Sequence, residues 1–117
     1  MTLEIEVKIP AGESLSRAID VSAFGGYKYF AIKFPSAWTG EASGITFQGA
    51  GEDMSFADIY SDSGVEVTSS VIKGKFVSLS GIALDLAPYA FLKVRAGMGT
   101  SPQVQALERT FSFIAKK

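Results

Sequence analysis

Leu3, Ile5, Val7 and Ile9 alternate with Glu4, Glu6 and Lys8, the two-residue period of a strand with one buried and one wet face. Pro10-Ala11-Gly12-Glu13 breaks that pattern. A second short strand is predicted over residues 16–21, ending before Phe24-Gly25-Gly26, where the glycine pair marks a turn. Residues 27–34 are rich in aromatic and β-branched side chains and stop at Pro35, which predicts a central strand. Ile45-Thr46-Phe47-Gln48 reads as a fourth strand, residues 49–55 as a polar glycine-containing loop, and residues 56–60 as the returning arm of a hairpin.

Ser61-Asp62-Ser63-Gly64 supplies the next turn, since Asp bonds nearby backbone and Gly accepts a positive φ. Val65, Val67 and Val71 continue as a strand, Lys73-Gly74-Lys75 turns, and Phe76, Val77 and Leu79 form another. Over residues 81–88, Ile82, Leu84 and Leu86 suit a one-turn helix or an irregular crossover, because Pro88 prevents a long helix. Residues 91–96 return to strand and residues 97–102 read as a loop. In the closing segment, 108–115, Phe111 and Phe113 alternate with Thr110 and Ser112.

About nine short strands separated by Gly, Pro and Asp, with no sustained helical period, predict an all-β fold. The architecture expected is an antiparallel β-sandwich, jelly-roll-like or Ig-like, forming one domain over residues 1–117. Both termini are well patterned and belong in sheets. Most of the nine phenylalanines, Phe24, Phe30, Phe34, Phe47, Phe56, Phe76, Phe91, Phe111 and Phe113, fall in predicted strands and are expected in the core.

Composition narrows the chemistry. Apolar residues make up 47% of the chain and charged residues 20%, enough to bury a core and unlike a disordered segment. The net charge of -1 supplies no basic field for a phosphate backbone, so nucleic acid is not an expected partner. With no Cys and no His, disulfides, thiol nucleophiles, imidazole bases and the usual zinc sites are excluded. Acidic residues near Met1 and the lack of a long apolar run lead us to expect neither a secretory leader nor a membrane partner, and synthesis as a soluble chain in a cytoplasm.

Three constellations carry possible chemistry. Glu52, Asp53, Asp58, Asp62 and Glu66 put five carboxylates close together, the donors that Ca²⁺ requires. Their spacing does not match a calcium loop, and solvated turn acids are the expectation. A glycosidase pair would need two of them about 5–10 Å apart across a cleft, and no such cleft is legible. Trp38, with Tyr27, Tyr29 and Tyr60, could stack on sugar rings, but Trp38 is expected to cap the end of the core. Gly97-Met98-Gly99-Thr100 and Gly49-Ala50-Gly51 lack the Lys-Ser/Thr ending and the following helix of a phosphate loop, and read as hairpin loops. Lys116 and Lys117 read as a solvated tail. No catalytic, cofactor-binding or metal-binding residue is expected, and no cofactor.

Pro35-x-x-Trp38, Ile45-Thr46-Phe47-Gln48, Ser55-Phe56-x-x-Ile59-Tyr60-x-Asp62-x-Gly64-x-Glu66-Val67, Phe91-Leu92-Lys93-Val94-Arg95-Ala96-Gly97, Pro102 and Glu108-Arg109-Thr110 form a pattern over residues 31–115. It resembles the small all-β virion proteins of tailed bacteriophages, of the head decoration or head fibre type. The Gln48-Gly49-Ala50-Gly51-Glu52-Asp53 stretch departs from that pattern, where a Ser-x-Asp-Gly turn is expected. The resemblance implies a non-enzymatic structural protein located in the virion, a homo-oligomer touching the major capsid protein or other virion proteins, with no catalytic residues to carry over. A tail-associated virion protein and a carbohydrate-binding β-sandwich module are the alternatives. The fully alternating N-terminal strand is the edge expected to make the oligomer or capsid contact.

Overall fold

The structure is a computed structural model, describing residues 2–21 and 29–116. The Phe24-Gly25-Gly26 turn and Tyr27, singled out above, lie outside the described residues. Among the described residues there are ten strands: β1 (Thr2–Ile9), β2 (Ile19–Asp20), β3 (Tyr29–Lys33), β4 (Ile45–Ala50), β5 (Ala57–Asp58), β6 (Thr68–Ser69), β7 (Phe76–Ser78), β8 (Phe91–Met98), β9 (Ser101–Pro102) and β10 (Arg109–Lys116). The one α-helix among the described residues, α1 (Ala83–Leu86), is a single turn following a 3-10 turn at Ser80–Ile82. Pro88 just beyond α1 limits its length, as the sequence predicts.

One sheet has the order β1-β10-β3-β7, and the other β2-β8-β4-β5 with β6 also on β4. Every pairing is antiparallel. β5 and β6 share one edge of β4, because β8 holds the other along its whole length. Counted as one interrupted strand, they complete a nested set of arms: β1 with β10, β2 with β8, β3 with β7, and β4 with β5 and β6. That nesting is a long antiparallel hairpin rolled into two facing sheets, the jelly roll. Of the two sandwich types the sequence left open, the topology selects this one.

The core lies between the sheets. In β1 the inward row is Leu3, Ile5, Val7 and Ile9, with Val7 and Ile9 buried; Phe111, Phe113 and Ala115 of β10, Ile32 of β3, Leu92, Val94 and Ala96 of β8, and Ile45 and Phe47 of β4 meet them. Full burial of such a side chain contributes about 1.5–3 kcal/mol, which makes this double layer the main stabilising term. Trp38 closes one end of it, 5% exposed and edge-on to Phe34 at 5.3 Å and Phe111 at 6.1 Å between ring centres.

Five local expectations need correction. Residues 97–102 are not a free loop: β8 runs on to Met98 and turns through Gly99-Thr100 into β9, with Gly97 at φ 84. Glycine makes that positive φ possible and hides the strand from a pattern reading. Gly49 and Ala50 belong to β4 rather than to the loop after it. Phe76 is 60% exposed on edge strand β7, where the Lys33 ammonium lies 5.5 Å from its ring centre. Phe56 stands outside the second sheet under Lys93, 4.4 Å away, because its side chain takes the outward side of the pleat. The predicted strand over residues 16–21 is shorter: only Ile19–Asp20 is regular, although Leu15 bridges Arg95 as residues 14–16 run along β8.

Candidate functional site

The densest group of polar side chains sits on the outer face of the second sheet. Arg95 on β8 points outward opposite Thr46 on β4, and Asp58 on β5 stands opposite Gln48, two residues along β4. Between β5 and β6 the chain leaves the sheet as a small hairpin. Tyr60 bridges Glu66, and the Val67 N–H donates to the Ile59 carbonyl at 3.0 Å, which brings Glu66 back beside the strand it left.

The three charges meet there. Arg95 donates through Nη2 to Asp58 Oδ1 at 2.5 Å, and through Nη1 to Glu66 Oε2 at 3.4 Å and Thr46 Oγ1 at 3.3 Å. Thr46 in turn donates to the Gly97 carbonyl at 2.8 Å, and the Gly99 N–H donates to both oxygens of Glu66 at 3.1 and 3.2 Å. Arg95 and Glu66 side chains are each 8% exposed and Asp58 33%. The bond from Arg95 lowers the Asp58 pKa below its ordinary 3.8; the Gln48 amide, donating at 3.0 Å, and the guanidinium charge add to this, while burial opposes it.

Arg95 therefore fills the space between the two carboxylates, joining the hairpin, the β8–β9 turn and the sheet. Its guanidinium offers each acid a charge-assisted partner in place of a ligand. The other sequence-flagged acids stay apart. Glu52, Asp53 and Asp62 lie exposed in turns, where Asp53 accepts the Ser55 N–H at 3.2 Å in a local turn bond. Among the described residues, no group of three or more acidic side chains is placed to hold a metal ion.

Trp38 is not a sugar platform, because it is buried in the core against Phe34 and Phe111. Its indole Nε1 has no hydrogen-bond partner among the described residues. Tyr60 and Tyr29 are 54% and 59% exposed but belong to different sheets and form no joint stacking surface. Gly97-Met98-Gly99-Thr100 forms the β8–β9 turn and offers its Gly99 N–H to Glu66 rather than to a phosphate.

Two residues escaped the sequence reading. Arg95 was visible only as one of two outward charges, with Lys93, in an otherwise apolar strand. Gln105 is fully buried: its Oε1 accepts the Thr39 N–H at 2.9 Å and Arg109 Nε at 3.0 Å, and its Nε2 donates to the Thr39 carbonyl at 2.9 Å. Its backbone joins Gly12 and Glu13, so one side chain and its peptide tie three loops together beside Trp38. The remaining concavities are shallow. A groove of about 300 Å³ runs along Glu13, Arg17, Met54, Phe56 and Lys93. A broader one of about 620 Å³ is lined by Glu41, small residues 42–44 and 68–70, Val71 and Ile72.

Comparison with known families and with curated protein sequences gives no match. Among solved structures, the chain is similar to the crystal structure of YomS, a protein derived from the SPBc2 prophage. The likeness covers 98% of this chain and 94% of that one, with a TM-score of 0.53 at 12% sequence identity. At that identity the likeness is one of fold: the two chains share the β-sandwich architecture almost from end to end.

Proposed function

We infer that this chain is a non-enzymatic structural protein of a bacteriophage particle, one that coats or projects from the head through protein–protein contacts. The observation that carries the reading is the end-to-end fold likeness to a prophage-derived protein. The jelly roll adds an argument by analogy, since viral capsid domains are one of its commonest settings. The chemistry of the surface agrees with it: the strongest polar groups bond one another. Large apolar side chains protrude instead at scattered projections, Val65 beside the hairpin tip, Leu84 on α1, and Val104 and Leu107 before β10. The partners are the major capsid protein or other virion proteins. Many identical copies on a repeating surface turn a modest contact into firm attachment.

The test is location. Particles made by the genome that encodes this chain are purified on a density gradient, separated into heads and tails, and examined by mass spectrometry. The chain is expected in the head fraction at a fixed copy number relative to the major capsid protein. Recovery in tails would move the placement, and recovery only in the particle-free lysate would overturn the reading.

A further inference from the structure

Among the described residues both edges of the first sheet are open, apart from the Lys8 end of β1 where Arg17 bonds it, and they carry opposite charge. The Arg17 N–H donates to the Lys8 carbonyl at 3.0 Å, so the backbone groups of even-numbered β1 residues face away from β10. Those of Glu4 and Glu6 are thus presented to the edge. At the far edge, the Phe34 N–H donates to the Lys75 carbonyl and the Leu79 N–H to the Phe30 carbonyl. Odd-numbered residues of β7 therefore bond β3, while Phe76 and Ser78 turn their backbone outward. Lys73 and Lys75 lie in the turn leading into this strand, and no ion pair engages them, Glu4 or Glu6 among the described residues.

We propose that copies of this chain join head to tail through these edges, β7 of one pairing with β1 of the next to continue the sheet. Three observations carry this. The sheet has four strands, all antiparallel, so its two edges run in opposite directions and copies in the same orientation meet antiparallel, with their outer faces aligned. Like charges disfavour each edge pairing with itself: two β1 edges meeting before Lys8 set Glu4 against Glu6 or against its own counterpart, and two β7 edges bring lysine turns together. The cross pairing alone is favoured by charge. It also covers Phe76, an aromatic side chain otherwise 60% exposed on an edge strand.

One register brings these groups together, with Glu4 opposite Phe76 in a bonded pair and Glu6 level with Gly74, where the pairing ends because the Gly74 N–H already donates to the Pro35 carbonyl at 2.9 Å. Glu6 then comes level with the turn that carries Lys73 and Lys75, Glu4 comes beside the Lys33 ammonium that sits over Phe76, and the Lys8 carbonyl keeps its bond to Arg17. The Lys8–Arg17 end comes level with Lys73, whose N–H is held at 3.0 Å by Glu41, a carboxylate of opposite sign. Because the two surfaces differ, the contact is heterologous and gives rings or filaments rather than two-fold dimers.

The proposal deepens the reading as a self-assembling structural protein. Sedimentation velocity at low salt is expected to show wild-type protein in concentration-dependent species larger than a dimer. Glu4→Lys/Glu6→Lys and, separately, Lys73→Glu/Lys75→Glu are expected to be monomeric, and mixing these two variants, or combining all four changes, to restore assembly. Since the chain has no cysteine, Glu4→Cys/Phe76→Cys can be oxidised without interference. Opposed Cα atoms about 5.5 Å apart are within disulfide reach, so a ladder of linked oligomers is expected, where either single variant stops at dimers. A monomeric wild type, or assembly unaffected by either reversal, would overturn the edge pairing. A monomer that still binds purified heads would do so while leaving the capsid reading intact, and assembly by a chain absent from particles would do the reverse.

Discussion

Gly99 lies directly over Glu66: a Cβ at that position would stand 2.6 Å from Glu66 Oε2 and 2.8 Å from Asp58 Oδ2. Only a residue without a side chain lets the β8–β9 turn donate its N–H to the buried carboxylate. Gly99→Ala is therefore expected to push the turn away and cost about 1–3 kcal/mol, read as a lower urea midpoint at unchanged slope.

Arg95→Met removes the cation while leaving Glu66 buried, and a buried acid without its partner is among the costliest local changes. The expected loss is about 3 kcal/mol, at the lower end of the range for broken buried pairs because Asp58 is partly solvated. Adding Glu66→Gln to Arg95→Met should recover part of that loss. A double variant as unstable as the sum of its singles would show that the pair does not couple.

Acid should reveal the same group. Asp58 has a lowered pKa in the fold, so its contribution is fully present above the ordinary 3.8 of the unfolded chain and is lost as pH falls through the lower folded value. Stability measured from pH 6 downward, as roughly the mildest acid range to scan, is expected to fall less steeply below pH 3.8 in Asp58→Asn than in wild type. Identical slopes would mean that the Arg95 bond does not form in solution.

Trp38 is the only tryptophan, so intrinsic fluorescence reports on one end of the core. Its emission is expected to be blue-shifted and protected from iodide. Trp38→Ala is expected to cost about 3–5 kcal/mol through the cavity it leaves, and Trp38→Phe clearly less, since it removes a buried indole N–H that has no partner among the described residues. Emission typical of a wet indole would contradict the core placement.

Gln105→Leu keeps the side-chain volume but leaves the Thr39 peptide and the Arg109 guanidinium without their buried partner. A loss of about 2–4 kcal/mol is expected, since each stranded group costs about 1–3 kcal/mol. Amide exchange at Thr39 should accelerate with it; unchanged protection there would show that the loops are held by other means.

Much of the fold was legible because two of its three longest strands, β1 and β10, bury one face only. The alternation in β1 and β10 names the inward residues directly, and Pro35 and Pro88 mark where β3 and α1 must stop. The sequence reads Gly97–Thr100 as a hairpin loop, and Gly99-Thr100 does turn β8 into β9; the glycines hide only that Gly97, Met98, Ser101 and Pro102 are themselves strand. Phe76 was misread because its local pattern does not reveal that β7 is an edge. Asp58 and Glu66 were singled out as acids, yet their meeting on Arg95 depends on pairings between distant strands, which no short window contains.

The hairpin between β5 and β6 has a consequence for how this surface can vary. Gln48 faces Asp58 and Thr46 faces Thr68, so two steps along β4 correspond to ten along the segment beside it. The residues between leave and rejoin the sheet at one place, with Ile59 and Val67 both buried there. Lengthening or exchanging the Ser61–Val65 tip therefore shifts no strand against another, which makes it the natural graft point of the molecule, where a foreign epitope can be displayed on an unaltered frame.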